Sequence, residues 1–95
     1  MDGAREGLHV LVFDRDRGVL EVLRDALAAS GARVSVASSV NEVVRLTARE
    51  RVDMVATDGM MAPAQRCELV IALKTASSRR VRETPVVRLR CGGSG

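Results

Sequence analysis

Four short apolar runs, separated by stretches with a different period, constrain this chain more than anything else in it. Residues 8–13 (LHVLVF) are a continuous apolar run of strand length. Such a run suits a strand covered on both faces of a parallel sheet. Residues 33–37 (RVSVA) alternate, with Val34 and Val36 on one side, and read as a half-exposed edge strand. Residues 52–57 (VDMVAT) form a third run that ends at Asp58, and Pro85 opens a fourth over residues 86–90 (VVRLR).

Between the runs the apolar spacing becomes helical. Val19, Leu20, Val22, Leu23, Ala26 and Leu27 mark one face of a first helix from Arg17, with Asp16 placed to cap it and Gly31 to end it. Ser39 and Glu42 have capping-box spacing ahead of Val43, Val44, Leu46 and Ala48. A third helix is expected over residues 64–75, with Leu69, Val70, Ala72 and Leu73 inward, followed by an Arg-rich loop over residues 77–84. The order βαβαβαβ predicts an α/β domain with a parallel sheet and right-handed crossovers. At 95 residues the chain makes one small domain, and its single aromatic residue, Phe13, leaves the packing to aliphatic side chains. The organisation expected is a flexible N-terminus over residues 1–7, one domain over 8–91, and a Gly-Ser tail or linker over 92–95.

The net charge of +3 is unevenly spread, because residues 74–95 carry six basic groups against Glu83 alone. With no aromatic platform and no nucleic-acid motif, a solvated basic surface is favoured over a small nucleic-acid-binding protein, which stands as a second alternative. Cys67 and Cys91 form no CxxC or Cys/His ligand pattern. With no leader-like segment and no apolar run of membrane length, a cytoplasmic setting without membrane contact is expected. GxGxxG, Walker A and Ser/His/Asp patterns are absent, so no enzyme activity is expected. His9, inside an apolar run without a second His or Cys nearby, reads as a core histidine; Met60 and Met61 read as loop and packing residues.

Asp14 and Asp58 fall at the ends of different strands, where open α/β sheets build their sites. Taken together, LHVLVFDRD, ASGARVSVASSVNEVV, VDMVATDGMMAP and TPVVRL resemble the receiver domain of bacterial two-component response regulators, at family spacing and without gaps from Leu8 to about Cys91. The resemblance implies a flavodoxin-like sheet of order 2-1-3-4 lacking the usual last helix-strand-helix. It also implies a phosphoacceptor role for Asp58, an acidic-pocket role for Asp14, and metal ligation by Asp14, Asp58 and the backbone carbonyl of Met60. Against that pattern the chain has Arg15 where the second acid would stand, Arg90 in place of a switch hydroxyl, Ala62 with Pro63 one place later, and no counterpart of the fifth-strand lysine.

A guanidinium near a proposed cation opposes its binding, so no cofactor is expected and any Mg²⁺ site is weakened. Arg15 or Arg90 is expected to pair with Asp14 and Asp58 in the metal's stead. The function expected from the resemblance is an atypical receiver-like signalling domain acting through protein contacts. A receiver phosphorylated on Asp58 by a histidine kinase is the alternative. Without a last helix, one sheet face is left uncovered, which predicts self-association or a covering protein partner.

Overall fold

A computed structural model describes residues 8–89. Expectations for residues 1–7, Arg90, Cys91 and the tail lie outside the described residues. Four strands, β1 (His9–Phe13), β2 (Arg33–Ala37), β3 (Met54–Asp58) and β4 (Val86–Leu89), form one parallel sheet of order β2-β1-β3-β4. Four helices connect them: α1 (Arg17–Ala28), α2 (Val40–Arg49), α3 (Pro63–Lys74) and the short α4 (Arg79–Glu83). No helix among the described residues is long and apolar enough to cross a membrane.

Every residue of β1 is buried, as its unbroken apolar run requires of a central strand. Alternation along the strands divides the core in two. Leu11, Phe13 and Val55 face α2, α3 and α4, where they meet Val43, Leu69, Leu73 and Val81. Val10, Val12 and Ala56 face the other way onto Leu20 and Leu23 of α1. That helix packs on β1 and β2, and beyond it the half-buried side chains of Met54, Val87 and Leu89 form an apolar strip across β3 and β4.

The helix starts follow the capping chemistry. Asp16 Oδ1 accepts the Gly18 N–H at 2.8 Å and the Val19 N–H at 3.3 Å. Ser39 Oγ accepts the Glu42 N–H at 3.2 Å, while Glu42 Oε1 reaches one residue further back than a standard capping box, to the Ser38 N–H at 3.0 Å. Gly31 is the one described residue with positive φ, at 98°, two residues past the α1 cap Ala29. Pro63 occupies the first turn of α3, where its missing N–H costs nothing.

The stretch expected to be an Arg-rich loop contains α4. Its sequence RRVRE shows no periodicity, but Val81 is fully buried, and Thr84 Oγ1 donates to Arg80 O at 2.8 Å. Arg82 Nη1 donates to the carbonyls of Ala76 and Ser77 at 3.0 and 2.9 Å, tying the segment to the end of α3. Tertiary anchoring supplies what five residues cannot supply alone.

His9 is a core histidine, 2% exposed. Its Nδ1 lies 3.0 Å from the Arg51 carbonyl and its Nε2 2.7 Å from Ser35 Oγ. Because a carbonyl only accepts, Nδ1 carries a proton toward Arg51, and Nε2 shares a hydrogen bond with the Ser35 hydroxyl. The His9 N–H also donates to Asp53 Oδ2 at 2.7 Å, so one residue fastens the start of β1 to β2 and to the approach to β3.

Candidate functional site

The parallel pairing of β1 with β3 matches Phe13 to Thr57. One residue further on, Asp14 and Asp58 therefore stand side by side at the carboxyl edge of the sheet, both half-buried. This is the position in which an open α/β sheet presents reactive side chains. Asp58 and Asp16 border an open, mainly apolar hollow beside α1, whose walls are Val19, Val22, Leu23 and Met60. Met60 is 86% exposed at its rim.

The two carboxylates are partly committed to their own loops. Asp14 Oδ1 accepts the Asp16 N–H at 2.9 Å. Asp58 Oδ1 accepts the Met60 N–H at 3.3 Å, and the Asp58 carbonyl accepts the Met61 N–H at 3.0 Å. Such turns hold a strand-end aspartate in place and occupy one of its oxygens. Gly59 is fixed by the same tight loop, since a Cβ there would meet the Leu89 carbonyl oxygen at 2.5 Å. Any side chain at position 59 would push the end of β4 away from the Asp58 loop.

Arg15 departs from expectation. Its guanidinium leaves the two aspartates and crosses to α3, where Nη2 lies 3.3 Å from Glu68 Oε1 with both side chains about half exposed. Beyond Phe13 the chain leaves the strand and bends at Arg15, whose long side chain reaches Glu68 on α3. Arg90, the other cation expected in the pocket, lies outside the described residues.

A hard cation such as Mg²⁺ needs several converging oxygen donors and keeps waters in its remaining positions. Among the described residues no group of three or more His, Cys, Asp or Glu side chains comes close enough to hold a metal. Strand pairing brings the Asp14 and Asp58 carboxylates to one edge of the sheet, with the Met60 backbone in the same loop as Asp58. The residues present fall short of a full Mg²⁺ donor set.

No family model matches the chain, and no curated protein matches it. Solved structures do. The N-terminal domain of a response regulator receiver protein from Methanoculleus marisnigri JR1 is 28% identical, with a TM-score of 0.70 over 84% of this chain and 63% of that one. The receiver domain of Francisella response regulator 1452 (24% identical, TM-score 0.68, 93% of this chain and 69% of that) shares the fold. So does a response regulator receiver protein from Pseudomonas putida (24%, TM-score 0.67, 85% and 67%). The chain thus spans less than two thirds of the Methanoculleus domain. With its 2-1-3-4 parallel sheet and an aspartate closing the third strand, the chain has the flavodoxin-like receiver fold of two-component response regulators.

Proposed function

We propose that the chain is a cytoplasmic, receiver-like signalling module of two-component phosphorelay type. It acts through protein contacts, with Mg²⁺-dependent phosphorylation of Asp58 weakened or lost and no enzyme turnover of its own. The observation that carries this reading is Arg15, a cation at the second acidic position, engaged with Glu68 on the far side of the sheet edge. A transferring phosphoryl group needs positive charge on its oxygens, ordinarily supplied by metal and lysine. Neither Asp14 nor Asp58 can supply that charge. The alternative, a working phosphoacceptor modified by a histidine kinase, has the strand-end position of Asp58 in its favour.

The test is an NMR titration with Mg²⁺ of ¹⁵N-labelled protein. The amides of residues 14–16 and 58–61 are expected to show no saturable shift at millimolar metal. A saturating shift confined to those amides would favour the phosphoacceptor alternative.

The strip of Met54, Val87 and Leu89 beside the outer strand β4 is assigned in this reading to a second copy of the chain. A two-fold axis would pair one apolar strip with its equal. Sedimentation is expected to show a dimer that dissociates when Val87 and Leu89 are both replaced by Ser. A stable, cooperative monomer at micromolar concentration would count against self-association.

A further inference from the structure

A second surface lies on the other side of the sheet, between α2 and α3. Helix α3 carries apolar residues on two sides. Leu69 and Leu73 face the core, while Ala64, Cys67 and Ile71, at helical spacing, face solvent, with Ile71 59% exposed. Opposite them stands Val40 of α2, and the space between is an open groove of ≈ 800 Å³. The Arg15–Glu68 ion pair closes its upper end.

The helices beside the groove carry exposed arginines outside its lining. Asn41 lines the groove, and Arg45 and Arg49 continue the Asn41 line down α2 at four-residue intervals, both exposed. At the bottom α4 packs against both α2 and α3 and brings exposed Arg79 and Arg80. Arg79 pairs with Glu83 at 3.8 Å. Arg45, Arg49 and Arg80 have no ion pair or side-chain hydrogen bond among the described residues. An apolar wall about two turns long, with unpaired guanidiniums exposed on the helices beside it, matches one kind of ligand in both shape and charge.

We infer that the α2–α3 groove is a docking site for an acidic amphipathic helix of a partner protein. Apolar side chains at i, i+3 or i+4, and i+7 of that helix would seat against Val40, Cys67 and Ile71, and its flanking carboxylates would meet Arg45, Arg49 and Arg80. This surface is separate from the Asp58 loop, and its occupancy does not depend on whether Asp58 is phosphorylated. Duplex nucleic acid fits less well: it would use the arginines and leave Ile71 and Cys67 uncovered.

The experiment uses the full chain and a synthetic helical peptide carrying Leu at i, i+4 and i+7 with Glu on both flanks. A Lys-flanked version and a random-sequence DNA duplex serve as competitors for the same claim. Fluorescence anisotropy is expected to show the Glu peptide binding at least about tenfold more tightly than the Lys peptide and more tightly than the duplex. Bound peptide should slow alkylation of Cys67 by iodoacetamide, read site by site by mass spectrometry. Arg45→Glu with Arg49→Glu should weaken binding about tenfold or more, while Arg17→Glu with Arg24→Glu, the same charge change on α1, should change it less than about twofold. Both pairs are exposed, and circular dichroism checks that each variant is folded. The inference is overturned by the absence of Glu-peptide binding or by equal binding of the two peptides. Tighter binding of the duplex would overturn it too, as would an unprotected Cys67 or a groove already shielded by a second copy of the chain.

Discussion

Arg15→Asp is expected to raise the affinity of the Asp58 pocket for Mg²⁺ at least about tenfold, equivalent to about 1.4 kcal/mol. The substitution removes one positive charge and adds one negative charge next to Asp14, where the donor set is short. A unit charge a few ångströms from a cation near a protein surface is worth roughly 3–4 kcal/mol before screening. Arg15 is half exposed, so solvent takes back much of that, and tenfold is the conservative remainder. The broken Arg15–Glu68 contact is an exposed pair worth at most about 1 kcal/mol, so the fold should survive. The Mg²⁺ titration of the variant, followed at residues 14–16 and 58–61, checks this. A variant with the parent's response would mean that Arg15 is not what weakens the site.

The largest effect on stability is expected from Phe13→Ala. Phe13 is the chain's single aromatic residue and is fully buried, packed among Leu11, Ala37, Val43, Val55 and Leu69 at the centre of the larger core cluster. Removing a buried phenylalanine costs about 3–5 kcal/mol, including the cavity left behind. A domain of this size holds only about 5–10 kcal/mol in total. The variant should therefore lose about half or more of its stability, with a urea midpoint shifted to match and an unchanged slope if the transition stays two-state. Val22→Ala, at a position 67% exposed on α1, should change the stability by less than about 0.5 kcal/mol. Similar losses at the two positions would contradict the core described for β1.

Most of the sheet could be read from the chain because its signals are local. The unbroken run at residues 8–13 marks a central strand, the alternation at 33–37 an outer one, and Asp58 closes β3 where the apolar run ends. Helix α4 could not be read, because RRVRE has one apolar residue and its stability comes from Val81 in the core and from Arg82 on two distant carbonyls. The destination of Arg15 was equally hidden. Its partner Glu68 is 53 positions away, and only the packing of α3 against the sheet brings the two together. His9 was legible as a core residue, yet Ser35 and the Arg51 carbonyl become its partners only through strand pairing. The second apolar face of α3, with Cys67 and Ile71, was not singled out in the sequence, and a groove there requires α2 beside it.

In the proposed function, Asp58 closes β3 of a receiver fold whose Mg²⁺-dependent phosphorylation is weakened or lost. Intact-mass measurement after incubation with a small-molecule phosphodonor and Mg²⁺ tests it most directly. The expected spectrum is that of the unmodified chain, with Asp58→Asn giving the same result. A stable added phosphoryl mass on the parent chain, absent from Asp58→Asn, would contradict the claim and establish Asp58 as a working phosphoacceptor.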